Sequence, residues 1–155
     1  MAKAHAQASA VIAAAPEKVY EVLSDYHNHH PNILPKGVFS NFVVEEGGVG
    51  AGTVFRTDGK VGGIARPLHM RVSEPQPGRV LAETDIDTGM HTTFSLTPEA
   101  GGTRVTIATD WEPSHGLMGW IERRIAPGML EKMYREELSN LNEYLLGYDP
   151  QNEDT

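Results

Sequence analysis

Reversals of chain direction set the tightest limit on what this sequence can become. Gly, Pro, Asn and Asp supply the backbone angles that tight turns demand, and they gather in five clusters: Gly47–Gly52, Asp58–Gly63, Pro75–Gly78, Asp87–Gly89 and Pro98–Gly102. The segments between them are rich in Val, Thr, Phe and Ile and alternate with the period of two expected of half-buried strands. Met90, Thr92, Phe94 and Leu96 alternate with His91, Thr93, Ser95 and Thr97, and Val105, Ile107, Thr109 and Trp111 alternate with Arg104, Thr106 and Asp110. Connections this short join antiparallel neighbours, so the stretch from Val38 to Glu112 reads as a six-stranded meander with one buried face.

Helical signals flank the meander. Pro16 suits a first helical turn, where its missing N–H costs nothing, and Val19, Val22 and Leu23 form the apolar side of the helix it opens. A short second helix or turn covers Asn28–Leu34. Near the C-terminus Leu130, Met133, Tyr134, Leu138, Leu141, Tyr144 and Leu145 recur at three- and four-residue steps, with Glu131, Lys132, Arg135, Glu136 and Glu143 opposite them. Leu117, Met118, Trp120, Ile121 and Ile125 make a preceding apolar surface, which Pro127-Gly128 separates from the long helix. With a further strand near Ser9–Ile12, the order predicts an α+β fold: a curved seven-stranded antiparallel sheet around a long C-terminal helix, with two short helices after the first strand. A helix about 10–12 Å wide cannot fill a broad concave sheet, so a cavity is expected between them. Residues 1–147 are expected to form one domain and residues 148–155 a disordered acidic tail.

Composition narrows the function. A length of 155 residues suits a single domain. The absence of Cys excludes disulfides, thiolate metal sites and a thiol nucleophile. A net charge of −8 opposes binding to nucleic acid or an anionic membrane surface, and no apolar run reaches the length of a membrane span, so integral membrane association is not expected. The Ala-rich stretch from Lys3 to Ala15 superficially resembles a secretory leader, but it reads better as structure leading into the first helix, which makes the cytoplasm the expected location.

The run Ile12-Ala13-Ala14-Ala15-Pro16-Glu17-Lys18-Val19-Tyr20, then Leu23-Ser24-Asp25-Tyr26 and His30-Pro31-Asn32-Ile33-Leu34-Pro35, resembles the START/Bet-v-1-like (SRPBCC) superfamily, specifically its polyketide cyclase/dehydrase-type branch. Glu45-Glu46-Gly47-Gly48-Val49-Gly50-Ala51-Gly52-Thr53 and Gly119-Trp120-Ile121-Glu122-Arg123, leading through Ala126-Pro127 to Leu138 and Leu141, extend the resemblance over nearly the whole chain. The resemblance implies a helix-grip fold with a deep apolar cavity for lipids, polyketides or other hydrophobic small molecules. It does not imply one reaction, because some members carry ligands, some are aromatases or cyclases, and some associate with other proteins or ribosomes.

The residues themselves offer few reactive constellations. The Gly47–Gly52 loop continues into strand at Thr53-Val54-Phe55 and lacks a following Gly-Lys-Ser/Thr, so it reads as a hairpin loop at the cavity mouth and not as a phosphate cradle. His27, His29 and His30 cluster without a carboxylate-rich partner motif and read as caps and loop residues; no metal and no cofactor is expected. No G-x-S-x-G elbow occurs. Extending the alternation places Glu83, Asp85, His69, Arg71, His91, Arg104 and Asp110 on the solvent face, where Arg71 and Glu83 would pair if their strands are in register. Leu68, Met70, Val72, Val80, Ala82, Thr84, Ile86, Thr92, Phe94, Ile107, Thr109 and Trp111 then face inward. The candidate ligand-binding set is Met70, Thr84, Thr92, Phe94, Ile107, Thr109 and Trp111 from the sheet, Leu130, Met133 and Tyr134 from the long helix, and Trp120 as part of a lid or its packing. Phe55 inside and Arg56 outside is the more economical reading of that strand. The expected function is binding of a hydrophobic small molecule, lipid-like or polyketide-like, with no catalytic residue assigned and a monomer or homodimer as the expected state. The alternative is an aromatase/cyclase-type enzyme using Arg56, Thr109, Trp111 and Tyr134; a third reading uses the Trp120 surface for protein interaction.

Overall fold

The computed structural model describes residues 3–61 and 63–147; the expected acidic tail lies outside them. Its element order is β1 (Ala4–Ile12), α1 (Pro16–Ser24), a 3₁₀ turn (His30–Ile33), β2 (Phe39–Glu46), β3 (Val54–Val61), β4 (Ile64–Gln76), β5 (Val80–Asp85), β6 (His91–Glu99), β7 (Gly102–Trp111), α2 (Gly116–Arg124) and α3 (Ala126–Leu146). The seven strands form one antiparallel sheet in the order β1-β7-β6-β5-β4-β3-β2. β2 through β7 are neighbours in chain order, as short turns require, and β1 joins the far edge by pairing with β7 from Ala4↔Trp111 to Ile12↔Thr103.

β1 starts five residues earlier than the sequence suggested. Its inward residues Ala4, Ala6 and Ala8 are small and buried, so α3 can lie close across them. Leu138 and Leu141 of α3 join Ala6, Ala8, Ile12, Val105 and Ile107 in the core. Ala13 N–H donates to Asn142 Oδ1 at 2.8 Å, and Asn140 Nδ2–H donates to the Ile33 carbonyl at 3.1 Å, pinning the same half of the helix. The break between α2 and α3 falls at Ile125, and Pro127 occupies the first turn of α3, where its ring is tolerated.

The phase of β5 is opposite to the sequence reading. Opposed residues of an antiparallel pair share a face, and Leu81 pairs with Phe94 and Glu83 with Thr92. Leu81, Glu83 and Asp85 therefore point inward and are buried, while Thr84 points outward and its hydroxyl is hydrogen-bonded to His91 Nδ1 at 2.8 Å. Ile86 is exposed at 41%. Arg71 opposes Thr84 on the outer face, so the anticipated Arg71–Glu83 pair does not form.

Candidate functional site

Between the inner sheet face and the two C-terminal helices lies a cavity of about 450 Å³. Phe39, Phe42, Phe55, Leu68, Met70, Met90, Phe94 and Trp111 line it from the sheet. Met118, Ile121 and Ile125 belong to α2 and the break, and Met129, Leu130, Met133 and Tyr134 to α3. At one end Arg66 of β4 and Glu122 of α2, both on the cavity wall, approach to 3.8 Å.

The other end is polar and buried, and its local cause is the turn after α1. Asp25 leaves the helix in extended backbone, and its Oδ1 accepts the N–H groups of His27 (3.0 Å) and Asn28 (2.9 Å). The Asp25 carbonyl accepts the His30 N–H at 2.8 Å. The chain is thereby folded back so that His30 enters the core, where its Nδ1–H donates to the Leu23 carbonyl at 2.6 Å. That bond fixes the tautomer when the ring is neutral and aims Nε2 at two carboxylates: Glu137 Oε1 at 3.6 Å and Glu83 Oε2 at 3.8 Å. Tyr26 stacks on His30 with ring centroids 4.6 Å apart and donates its hydroxyl to Glu83 Oε2 at 2.7 Å.

Burial alone pulls the His30 imidazole toward its neutral form, but the Glu137 and Glu83 carboxylates outweigh it and hold the ring above its ordinary pKa. Burial raises Glu83, opposed by His30 and the Tyr26 hydroxyl and reinforced by Glu137. Burial also pushes the Tyr26 phenol far above its ordinary value, with the Glu83 carboxylate adding to it. A second hydroxyl chain runs Thr92–Thr109–Tyr134: Thr92 Oγ1 and Thr109 Oγ1 are 2.7 Å apart, and Thr109 also bonds the Tyr134 hydroxyl. Burial pushes Tyr134 up to about 12.

Of the candidate residues read from the sequence, Met70, Thr92, Phe94, Trp111, Leu130, Met133 and Tyr134 come together on the cavity wall. Thr109 stands behind Tyr134, and Ile107 is buried in the core. Thr84 is on the outer face, and Trp120 is 57% exposed and does not line the cavity. Arg56 points outward, donating to Glu45 Oε2 at 2.8 Å, while Phe55 is buried. The Gly47–Gly52 loop is not at the mouth: Gly48 carbonyl accepts Tyr26 N–H, and Gly48, Gly50 and Gly52 N–H groups are taken by Thr53 Oγ1, Ser24 and Val72. A side chain at Gly48, with φ of 142°, would meet the His27 ring at 2.0 Å. His27, His29 and His30 do not converge, bonding respectively to the Gly47 carbonyl, the Tyr144 hydroxyl and the Leu23 carbonyl.

His30, Glu83 and Glu137 are the polar residues at the inner end that the sequence reading missed, and Phe39, Phe42, Ile121 and Met129 are apolar wall residues outside its candidate set. Glu137 had a signal: it lies seven residues after Leu130 and four after Met133, on the apolar stripe of α3 and not among the charges opposite. An acid at such a position is buried only with a partner or a purpose.

Residues 3–146 match the family described as polyketide cyclase / dehydrase and lipid transport. The solution structure of KanY protein is similar over 95% of this chain and 100% of its own, at 28% identity and a TM-score of 0.83. The aromatase/cyclase Zhui from Streptomyces sp. R1128 has a TM-score of 0.75 at 18% identity, covering 97% of this chain and 98% of its own. Major latex-like protein 151 of Panax ginseng has a TM-score of 0.72 at 12% identity, covering 93% and 98%. These last two likenesses show the shared helix-grip architecture. No curated protein matches the chain by sequence.

Proposed function

We propose, from the premise that this chain belongs to the polyketide cyclase / dehydrase and lipid transport family, that it holds a hydrophobic small molecule, lipid-like or polyketide-like, between the sheet and α3. The observation that carries this reading is the 450 Å³ hollow walled chiefly by Phe, Leu, Met and Ile side chains. Burial of ligand surface there contributes about 25 cal/mol per Å² before association costs. Methionines from α2 and α3 adapt to an imperfectly fitting body. Extraction of purified protein into organic solvent, followed by mass spectrometry, is expected to release a hydrophobic compound. A protein that releases none and also fails to bind a neutral fluorescent apolar dye overturns the reading.

A second reading, an enzyme of the aromatase/cyclase kind, is favoured by one specific observation: His30 Nε2 stands between two buried carboxylates in the cavity wall. Such a group can take a proton at Nε2 and return it, work that typically contributes 10²–10⁴-fold in rate. Arg56, turned outward, has no part in it. Turnover of a poly-β-ketone analogue, lost on His30→Gln with the fold retained, is the expected result under this reading; unchanged turnover in the variant excludes His30 chemistry.

A further inference from the structure

At the polar end of the cavity one atom lacks what its neighbours have. Glu137 is 4% exposed and lines the cavity from α3. Its Oε1 is, among the described residues, the buried side-chain polar atom with no hydrogen-bond partner. His30 Nε2, at 3.6 Å, is in ion-pair range but outside hydrogen-bonding reach. By contrast, Glu83 Oε2 receives the Tyr26 hydroxyl, and Tyr134 bonds Thr109. A buried acceptor without a donor is costly, more so when it carries charge, and native proteins rarely leave one unless something outside the chain completes it.

The surroundings define what that something is. The end of the cavity holds two carboxylates and one imidazole, so it offers no excess positive charge to an anion. Arg66, the guanidinium on the wall among the described residues, is at the other end beside Glu122. A carboxylate or phosphate head at this end would face Glu83 and Glu137 at close quarters, whereas an O–H or N–H would supply the missing donor. The rest of the wall, including Met70, Phe94, Trp111 and Leu130, is suited to a body without charge.

Resting on the reading of this cavity as a binding site, we infer that its occupant carries a hydrogen-bond-donating head, hydroxyl or amine, seated on Glu137 Oε1, with an apolar body toward the mouth, and that acid-headed molecules such as free fatty acids are rejected.

The test uses four size-matched probes and the full chain in equilibrium dialysis at neutral pH: 2-naphthol, 2-naphthylamine, 2-methoxynaphthalene and 2-naphthoate. Naphthol, naphthylamine or both are expected to bind about tenfold tighter than the ether, which can only accept, with naphthoate weakest; the better of the two donors distinguishes hydroxyl from amine. Glu137→Gln is expected to shrink the donor preference to roughly threefold or less. Glu137→Leu is expected to abolish it, with circular dichroism confirming that each variant is folded. If Glu137→Leu does not fold, the Gln variant decides alone. Naphthoate binding as tightly as naphthol, or a donor preference unchanged in the variants, overturns the head-group assignment while leaving the cavity reading intact. Failure of all four probes, the ether included, overturns the cavity reading and this inference with it.

Discussion

At the inner end of the cavity, Tyr26, His30 and Glu83 hold one another through hydrogen bonds, stacking and ion-pair contacts, whereas around α2 the side chains Leu117, Met118, Trp120 and Ile125 stand 75%, 49%, 57% and 50% exposed. The first region is polar and buried; the second is apolar and wet. Each reverses the usual placement of its residue types. On the proposed binding function the difference separates two tasks: the hydrogen-bonded polar groups would set the orientation of an occupant, and the apolar side chains near α2 would meet its body.

Removing the imidazole should break the comparison most severely. His30→Leu leaves Glu83 and Glu137 facing each other without the positive group between them, and loss of one partner in a buried charged set costs about 3–5 kcal/mol. Denaturant unfolding is the measurement; a loss below about 1 kcal/mol would show that the cluster is not held as described. Tyr26→Phe is the next step down. It strips Glu83 of its hydroxyl donor and is expected to cost about 2 kcal/mol by the same measurement, because a buried acceptor left without its donor bears its desolvation penalty.

Acidity sharpens the contrast without mutation. The folded His30 pKa is raised, so its stabilising contribution is complete below the ordinary value of 6.5 and is lost as pH climbs through the folded value. Glu83 is also raised, so its contribution runs the same way, complete below 4.5 and lost as pH climbs through its own folded value. The groups facing His30 are Glu83 from β5, Glu137 from α3 and Tyr26 beyond α1. The thermal midpoint should therefore fall as pH rises above 6.5, and the slope should be shallower in the double variant His30→Leu/Glu83→Gln, in which neither group titrates. A midpoint flat across that window in both proteins would contradict the assignment. His5, also raised by its bond to Asp110, acts in the same direction, and the variant comparison removes it from the difference.

The smallest effect belongs to the exposed face of α2. Leu117→Ser should change stability by less than about 0.5 kcal/mol, since a side chain 75% exposed has little buried contact to lose. A larger loss in denaturant unfolding would mean that the α2 surface is covered in solution.

Much of the architecture could be read from residue order because turns and alternation are local properties. The meander, the break before Pro127 and the stripe on α3 each depend on neighbours a few positions apart. β5 failed for a corresponding reason. In Val80-Leu81-Ala82-Glu83-Thr84-Asp85 both phases carry apolar residues, and the rule that acids face water chose the wrong one. What reverses it is distant in the chain: Tyr26, His30 and Glu137 partner Glu83, and Asp85 Oδ1 accepts the N–H groups of Asp87 (2.8 Å) and Thr88 (3.3 Å). His30 was hidden similarly, because a histidine among histidines in a turn gives no sign that Asp25 folds it inward. The wall residues Met70, Phe94, Leu130 and Met133 were legible from periodicity, while the polar end required contacts across three elements.

The alanine edge strand has an effect at a distance. Ala6 and Ala8 share a core with Leu138 and Leu141, so the later turns of α3 lie close to the sheet, while Leu130, Met133 and Tyr134 of its earlier turns line the cavity with Trp111 and Met90. The spacing of helix from sheet is thus set in part by methyl groups on an edge strand that does not line the cavity. Substitutions on that strand would act on the hollow without altering any side chain of its wall.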